Sequence, residues 1–481
     1  MNRILLGYIF GILYAFIVLG LALVLYKLHL PKKYTRKVVH ILVGFEWVIL
    51  YEFMGAGIHF LAVCLFFLAV LFIAYFKKLM PMISSDGENA PGTVYYAVAM
   101  SGVAAVGCFV PSVMLPFGIG IIATSVGDGL AGVVGQLVKR HNPKIYGSKT
   151  LLGSVANFLA SSLGAFILAT VYGSPMEVWH YLLIGMLSAE LEIVTGFGLD
   201  NITVTWGVTA LTYGLMYYGG IVNYLVPIMV TPLIIAFALA HRALTGWGVV
   251  MAIMMDVVIS VSLGNFGFII LVSFFLGSII IDKIKKRAPR TSSIEAKGAH
   301  RDLVQVIANG LVGTASAALF VFTGHRAFVL GFVAAFAEAF SDTAASGIGA
   351  FSRNTYDAFR LKRGVKGLSG GVSVIGTLAA LIAAFAISAL ALPFGVAGFG
   401  HIDFLIVGLA AFAGNAIDSL LGSYLQVKYR CRVCDTLTER REHCGEPTER
   451  AGGISFVDND VVNITSGLIS AAIAIVTCLL I

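Results

Sequence analysis

Long apolar runs recur from one end of the chain to the other, each about 18 to 24 residues long and able to cross a bilayer as a helix. The 481 residues are 58% hydrophobic and only 12% charged, whereas soluble domains carry about 25% charged residues. We therefore predict an all-α polytopic membrane protein with about sixteen transmembrane helices. The predicted spans lie near 4–27, 38–54, 56–76, 93–110, 114–137, 151–172, 177–196, 202–218, 221–240, 243–262, 265–282, 302–323, 327–350, 369–392, 402–425 and 460–480.

Basic residues orient these spans. When the chain crosses the membrane at each predicted span, all the loops rich in basic residues fall on the same side. Such loops concentrate on the cytoplasmic side of membranes, so we expect both termini outside, and the active sites on the cytoplasmic face (of the cell membrane in a prokaryote). The net charge of +7 then reflects these loops and predicts no nucleic-acid partner. The first apolar run has no small-residue cleavage site, so we expect a retained helix. The basic loops lie at 27–37, 77–78, 139–149, 241–242, 283–301, 353–366 and 428–450.

One polar segment, 283–300, is too rich in charge, Ser and Pro to span lipid, so we predict a cytoplasmic linker between membrane domains 1–282 and 301–481. Short patterns recur in the same order in both domains, which indicates a duplicated unit. An even number of extra spans in the first domain makes the predicted repeat parallel. The paired patterns are Tyr34–Phe45 with His300–Gly313, Val126–Gly135 with Phe340–Gly349, Lys149–Phe166 with Lys366–Phe385, and Leu199–Val204 with Val457–Val462.

The stretch Thr124–Ala156 carries the strongest chemical signal. It places Asp128 inside an uncharged, Gly-rich apolar run, followed by a basic loop with Lys144 and Lys149. An acid within a membrane-length segment is costly and marks a functional site by default. Lysines and loop amides suit phosphate, and glycines let the backbone approach a ligand closely. The stretch therefore predicts a nucleotide-phosphate site at a membrane surface.

These residues carry a family resemblance. The first domain resembles the dolichol kinase and phytol kinase family, whose members use CTP to phosphorylate membrane isoprenoid alcohols, through Arg36-Lys37, His40, Gly127-Asp128-Gly129, Gly147-Ser148-Lys149-Thr150, Gly153-Ser154 and Asp200-Asn201. The second domain is similar to the family containing plant phytyl-phosphate kinase, through Asn309-Gly310, Ser341-Asp342-Thr343, Ser369-Gly370-Gly371, Asp418-Ser419 and Asp458-Asn459-Asp460. The first domain departs from its pattern at Leu152, where an acid is expected, and lacks the proline expected after Asp200-Asn201.

The resemblance implies a CTP-dependent kinase for an isoprenoid alcohol, with the second domain converting a prenyl monophosphate to the diphosphate. Phosphoryl transfer needs charge neutralisation and usually Mg²⁺, which prefers carboxylate and phosphate oxygens. The candidate catalytic residues are Asp128, Asp200, Asp342 and Asp458. The candidate Mg²⁺ ligands are Asp128, Asp200, Asp342 and Asp460. The candidate nucleotide- and phosphate-binding residues are Arg36, Lys37, Lys144, Lys149, Gly153, Asn201, Lys366, Gly370, Gly371 and Asn459. Further candidates are His40, Glu190, Glu192, Glu338 and Asp418.

Other interpretations remain open at the level of sequence. Asp128 and Asp200 could be helix-end groups, and the basic residues could be ordinary positive-inside charges. A secondary transporter with duplicated bundles also carries intramembrane acids, but near the midplane, whereas we expect these acids within about one turn of the cytoplasmic boundary. A cytidylyltransferase would use CTP but leave a CDP-lipid. No Walker-type loop or GxGxxG pattern predicts ATP binding by those motifs.

A polar stretch near the C-terminus holds Cys431, Cys434, His443 and Cys444, whereas Cys64, Cys108 and Cys478 lie in predicted spans. A disulfide is unfavourable on the cytoplasmic side. A Cys₃His zinc site and free thiols are the two remaining hypotheses. The adjacency of His443 and Cys444 argues against tetrahedral geometry.

Overall fold

The structure, a computed structural model, describes residues 2–77, 92–138, 142–195, 198–217, 222–288, 301–358, 360, 362–364 and 366–481. Apolar runs fold into helices because a helix satisfies its own backbone hydrogen bonds in lipid. In these ranges the helices are α1 (Arg3–Lys27), α2 (Lys32–Gly44), α3 (Glu46–Met54), α4 (Ile58–Phe76), α5 (Gly92–Phe109), α6 (Met114–Ile122), α7 (Asp128–Leu137), α8 (Leu151–Val171), α9 (Val178–Val194), α10 (Asp200–Tyr217), α11 (Val222–Ala240), α12 (Gly246–Lys285), α13 (Leu303–Thr323), α14 (Ala327–Gly349), α15 (Val374–Ala391), α16 (His401–Tyr424) and α17 (Asn459–Leu480).

Short strands lie outside the long helices. They form three two-stranded pairs and one three-stranded sheet within the described residues. The strands are β1 (Lys144–Tyr146), β2 (Lys149–Thr150), β3 (Tyr356–Asp357), β4 (Gly371–Val372), β5 (Lys428–Arg430), β6 (Leu437–Thr438), β7 (Glu442–His443), β8 (Glu446–Pro447) and β9 (Glu449–Gly452).

Eleven helical segments of the described chain are long and apolar enough to cross a membrane. This confirms the predicted all-α polytopic membrane class, while the number of crossings, about sixteen, stays a prediction. The 40-residue α12 contains two predicted spans, because Gly264 breaks it with φ of 58° and ψ of −146°. The predicted span 38–54 is divided between α2 and α3 at Phe45.

The chain forms two compact units, Met1–Pro232 and Leu233–Ile481. The predicted linker 283–300 is not their boundary, because α12 packs against α13 and α14 of the second unit. Arg301 also donates a hydrogen bond of 3.1 Å to Asp282 across that segment. Residues 289–300 of the linker lie outside the described residues. The division of function between 1–282 and 301–481 stays a prediction.

The two units share a local succession of elements. In each, a largely buried helix carries the acid (Asp128 on α7, Asp342 on α14) and is followed by an antiparallel hairpin. A hydroxyl then caps the next helix: Thr150 accepts from the Gly153 amide at 3.3 Å, and Ser373 accepts from the amide of Gly376 at 3.2 Å. Both sequences therefore specify the same N-capped helix start.

The packing beside these caps also corresponds. A Cβ atom at Gly153 would lie 2.9 Å from the carbonyl oxygen of Ala131, three residues after Asp128. A Cβ at Gly376 would lie 2.9 Å from the carbonyl oxygen of Ala345, three residues after Asp342. Glycine is required at both places because the capped helix starts against the backbone of the acid-bearing helix.

This correspondence corrects one alignment made from sequence. Ser373 occupies the place of Thr150, so Val372 occupies the place of Lys149. Lys366, which the sequence echo paired with Lys149, lies in the loop between β3 and β4. The loop between the strands is longer in the second unit, and the added residues displace the lysine from the hairpin. The predicted nucleotide-binding role of Lys366 stays a prediction without that support.

Candidate active site

The ammonium group of Lys149 lies close to the predicted acids of the first unit. Lys149 is the first residue of strand β2, and the β1–β2 hairpin presents its ammonium group to three helices. Its Nζ lies 3.3 Å from Oδ2 of Asp200 on α10 and 3.9 Å from Oδ1 of Asp128 on α7. It also donates a hydrogen bond to Oε1 of Glu192 on α9. Asp128 and Asp200 are therefore brought together, although 72 residues separate them in the chain (200 − 128).

Asp128 is also paired with residues of α2. Lys37 Nζ lies 2.8 Å from its Oδ2 and donates a second hydrogen bond of 3.1 Å to its backbone oxygen. His40 Nε2 lies 3.5 Å from the same Oδ2 and 3.0 Å from the carbonyl oxygen of Thr124. Lys37 and His40 share one side of α2, since they are three residues apart. The Asp128 side chain is buried, so these partners are what make a carboxylate tolerable there.

The backbone around Asp128 departs from a regular α-helix. A π-helical turn, Ala123–Gly127, directly precedes Asp128, and such turns are frequent at functional sites. One turn later, a Cβ atom at Gly132 would lie 2.3 Å from Cε of Lys37. The glycine therefore opens the path by which the Lys37 side chain reaches Asp128 across the α2–α7 contact.

The electrostatic environment keeps Lys149 charged. Burial alone lowers the pKa of a lysine, but the carboxylates of Asp200, Asp128 and Glu192 outweigh it and raise the pKa of Lys149 above its ordinary value. The cluster thus combines three carboxylates with the ammonium groups of Lys149 and Lys37. Within the described residues, these negative and positive charges nearly balance in a small, largely buried volume.

Other predicted residues of the first unit lie outside this cluster. Asn201 donates to the backbone oxygens of Gly92 (3.1 Å) and Gly198 (3.0 Å), so its amide fastens the start of α10 to α5. Lys144 pairs with Thr150 in the hairpin. The remaining members are placed as follows: Gly153 packs α8 on α7, Glu190 lies on a different face of α9 from Glu192, and Arg36 is partly buried on α2 beside Lys37.

The acids of the first unit lie at different distances from the ends of their helices. Asp200 is the first residue of α10, and Glu192 lies near the end of α9. Asp128 precedes the end of α7 at Leu137 by nine residues, about 14 Å of helix. The expectation that these acids lie within about one turn of the cytoplasmic boundary stays a prediction.

The second unit holds a corresponding group of acids. Glu338 and Asp342 lie one turn apart on α14, and Asp418 on α16 interacts electrostatically with both. Asp418 accepts a hydrogen bond of 3.1 Å from Ser466 on α17. Glu338 is 2% exposed, and its Oε1 has no hydrogen-bond partner in the described part of the chain. In that part, no lysine or arginine forms an ion pair with Glu338 or Asp418.

The remaining predicted residues of the second unit divide into two kinds. Asp460 is buried at the start of α17, while Asp458 is the exposed N-cap of that helix and accepts from the amides of Asp460 and Val461, with Asn459 between them. Gly370 has φ of 81°, and a Cβ there would lie 2.2 Å from the amide nitrogen of Ser423. The loop at Gly370-Gly371 is therefore glycine-rich because it packs against the end of α16.

Several polar residues of these sites were missed from sequence. Thr124 and Thr205 join their hydroxyls at 2.8 Å beside His40, and Glu439 accepts from the amide of Ser369 at 2.8 Å. Glu46 is buried on α3 and its Oε1 has no hydrogen-bond partner among the described residues. The hydroxyls carry no sequence signal in an apolar run, but Glu46 is an acid inside a predicted span and could have been singled out by the rule that found Asp128.

Comparison with known proteins identifies the family. A family profile described as integral membrane protein DUF92 matches residues 229–471, which is just over half of the chain. The chain belongs to this family. It is also 30% identical over 195 residues to a phytol kinase of Synechocystis sp., covering 39% of this chain and 81% of that relative. The resemblance to the phytol kinase group is therefore confirmed.

Two further relatives extend the comparison. An uncharacterized membrane protein of Synechocystis sp. is 31% identical over 193 residues, which covers 39% of this chain and 74% of that protein. Protein VTE6, chloroplastic, of Arabidopsis thaliana is 25% identical over 260 residues, or 53% of this chain and 69% of that protein. No solved structure matches the chain significantly. At the level of the family, the phytol kinase relative supports kinase activity on isoprenoid lipids.

Proposed function

We propose that the protein is a CTP-dependent kinase of membrane isoprenoid alcohols and that the first unit contains the alcohol-phosphorylating site. The observation that supports this most is the convergence of Asp128 and Asp200 on Lys149. The named relative that is a phytol kinase supports the same class of acceptor. The reaction transfers the terminal phosphoryl group of CTP to the alcohol oxygen, giving a prenyl phosphate, CDP and a proton.

The cluster suits phosphoryl transfer because it offers carboxylates for a metal ion and ammonium groups for phosphate oxygens. Mg²⁺ is commonly bound by one or two carboxylates together with substrate phosphates. The oxygen donors of Asp128 and Asp200 fit this requirement, since both face the same ammonium group. Mg²⁺ bound there would neutralise developing phosphate charge. Lys149 and Lys37, whose ammonium groups lie beside these carboxylates, would donate to the phosphate oxygens.

The alcohol also has to lose a proton to a nearby base. Asp128 and Asp200 are the two candidates, and the one that does not accept the proton serves the metal. The prenyl chain remains in the lipid phase, so the hydroxyl approaches the cluster from the bilayer. We propose that the site opens to the cytoplasmic side, where CTP is found, in agreement with the positions of the basic loops.

For the second unit we propose phosphorylation of the prenyl monophosphate to the diphosphate. Its succession of acid-bearing helix, hairpin and capped helix follows that of the first unit, which supports a related reaction. Asp342 and Asp460 are the proposed Mg²⁺ ligands. The tandem arrangement would let one chain carry an alcohol through both transfers.

Product analysis on the purified full-length protein tests both proposals. The protein in detergent or vesicles is given CTP, Mg²⁺ and either geranylgeraniol or its monophosphate, and lipid and nucleotide products are resolved. We expect monophosphate and CDP from the alcohol, and diphosphate from the monophosphate. Asp128→Asn should abolish only the first reaction and Asp342→Asn only the second, while Glu177→Gln, an exposed acid before α9, should leave both unchanged.

The alternatives predict different products. A CDP-lipid with release of diphosphate would identify a cytidylyltransferase. Uptake of a substrate into vesicles without any nucleotide product would identify a transporter with duplicated helical bundles. Absence of labelled lipid from both acceptors would overturn the kinase proposal.

A further inference from the structure

A polar insertion between α16 and α17 brings four soft metal ligands together. It carries the strands β5 to β9 and the side chains of Cys431, Cys434, His443 and Cys444. Any two of their ligand atoms lie within 4.8 Å of each other. We propose that these four residues bind one Zn²⁺ tetrahedrally, and that the metal holds the insertion against the glycine loop of the second unit.

The distances agree with tetrahedral zinc. Zinc–sulfur bonds of about 2.3 Å and zinc–nitrogen bonds of about 2.0–2.1 Å place two sulfurs about 3.8 Å apart and a sulfur about 3.5 Å from a nitrogen. Sγ of Cys434 and Sγ of Cys444 are 3.8 Å apart. Nδ1 of His443 lies 3.4 Å from the first and 3.2 Å from the second. The ligands thus approach the edges of one tetrahedron.

The first pair of ligands lies on a turn built for thiolates. The amide of Val433 donates to Sγ of Cys431 at 3.4 Å, and the amide of Asp435 donates to the carbonyl oxygen of Cys431 at 3.1 Å. Asp435 closes the turn with φ of 57°, a conformation that is unfavourable for a non-glycine residue. Amide donors to sulfur stabilise a negatively charged ligand and orient it towards a metal.

The local backbone explains how the adjacent residues His443 and Cys444 can both bind one tetrahedral metal ion. Cys444 has φ of 55° and Gly445 has φ of 81°, so the chain turns sharply between β7 and β8. This turn allows His443 and Cys444 to direct their ligand atoms to the same point. A cysteine in the left-handed region is strained and persists only where the surroundings determine its conformation. Coordination of a metal ion by Cys444 would hold the residue in this conformation.

The chemistry of the ligands favours zinc over other partners. Three sulfurs and one imidazole nitrogen are unsuited to Mg²⁺ or Ca²⁺, which prefer oxygen. A disulfide needs sulfurs about 2.05 Å apart, which the 3.8 Å separation of Cys434 and Cys444 does not provide. All six cysteines of the chain are unpaired in the structure.

The insertion is linked to the second unit's loop. Strand β6 leads directly to Glu439, whose carboxylate accepts the hydrogen bond from the amide of Ser369, next to Gly370. At its base, the amide of Val427 donates to the carbonyl oxygen of Val457 at 2.8 Å, just before the start of α17. The metal would therefore fix both the loop contact and the approach to Asp460 without belonging to the acid cluster.

Metal content tests the inference independently of enzyme activity. Full-length protein, purified without chelator, should contain about one zinc per chain by elemental analysis. Cys434→Ser and Cys444→Ser each replace an exposed thiol and should reduce bound zinc at least tenfold. Cys108→Ser, in α5 of the first unit, is the control and should keep the metal.

Two further measurements make the outcome decisive. Cobalt exchanged into the site should show the absorption bands of tetrahedral thiolate coordination, absent in Cys444→Ser. Removing zinc with a chelator should speed tryptic cleavage after the exposed Arg441 at least fivefold in wild type and not alter the variant's rate. Zinc-free wild-type protein with unchanged cleavage, a Cys434–Cys444 disulfide found by mass spectrometry, or iron in place of zinc would each overturn the inference.

Discussion

The two acid clusters share their supporting elements but differ in charge compensation. In the first unit, Lys149 contacts three carboxylates and Lys37 contacts one of them again. In the second unit, Glu338 and Asp418 have no ion pair with lysine or arginine in the described part of the chain. The residue at the hairpin position of Lys149 is Val372. The hairpin of the same scaffold thus supplies an ammonium group to the first cluster and an apolar side chain at the corresponding place in the second unit.

This difference has a chemical consequence under the proposed function. A neutral alcohol brings no charge, so the lysines of the first unit can serve the nucleotide. A prenyl monophosphate is itself an anion, and Val372 offers it no ammonium group at the place of Lys149. Mg²⁺ is therefore expected to have a larger share in the second reaction, because the metal must compensate the charge of the acceptor as well as that of the nucleotide.

The largest expected effect comes from Lys149→Met. Removing the ammonium group leaves Asp128, Glu192 and Asp200 facing one another in a largely buried volume, where unpaired charges are costly. We expect the alcohol reaction to slow by about 10³-fold, with the monophosphate reaction unchanged, measured as initial rates of lipid product. Lys27→Met, at the exposed end of α1, is the control. A variant that retains more than a tenth of the wild-type rate would exclude Lys149 from the transfer step.

The next effect concerns the metal requirement of the wild-type protein. The place of Lys149 is taken by Val372 in the second unit, so no ammonium group competes with Mg²⁺ from that position. The monophosphate reaction should therefore reach half its maximal rate at about fivefold lower Mg²⁺, equivalent to about 1 kcal/mol. Initial rates of both reactions at fixed CTP and increasing Mg²⁺ measure this ratio. Equal half-saturating concentrations, or the reverse order, would contradict the electrostatic comparison.

A substitution can introduce the ammonium group of the first cluster at the corresponding place in the second unit. Val372→Lys places an ammonium group where the first unit has Lys149, next to the capping Ser373. We expect it to raise the half-saturating Mg²⁺ of the monophosphate reaction about fivefold, since a fixed cation competes with the metal. Val372→Met is the matched neutral variant and should leave the metal requirement unchanged. The alcohol reaction serves as an internal reference in both.

Sequence analysis identified those residues of this comparison whose burial in lipid is energetically unfavourable. Asp128 stood out because an acid in an apolar run needs partners, while Lys149 was singled out by its basic loop and Lys37 by the family resemblance. The Lys366 alignment failed because the length of a hairpin loop cannot be read from a repeat with so few identical positions. The contacts of Asp128 could not be ranked from sequence, because its partners come from segments that are far apart in the chain.

The smallest expected effect tests the path of Lys37 to Asp128. In Gly132→Ala the added Cβ would lie 2.3 Å from Cε of Lys37, so the lysine must retract from the carboxylate. We expect about 1 kcal/mol of destabilisation from overpacking and a loss of about threefold in the alcohol reaction, measured by thermal unfolding and initial rates. Gly20→Ala, where a Cβ meets nothing within 4 Å, is the matched control. If Gly132→Ala lowers stability but not the alcohol rate, Lys37 serves to balance Asp128 in the folded protein and takes no part in binding phosphate, and the functional contrast between the clusters then depends on Lys149 alone.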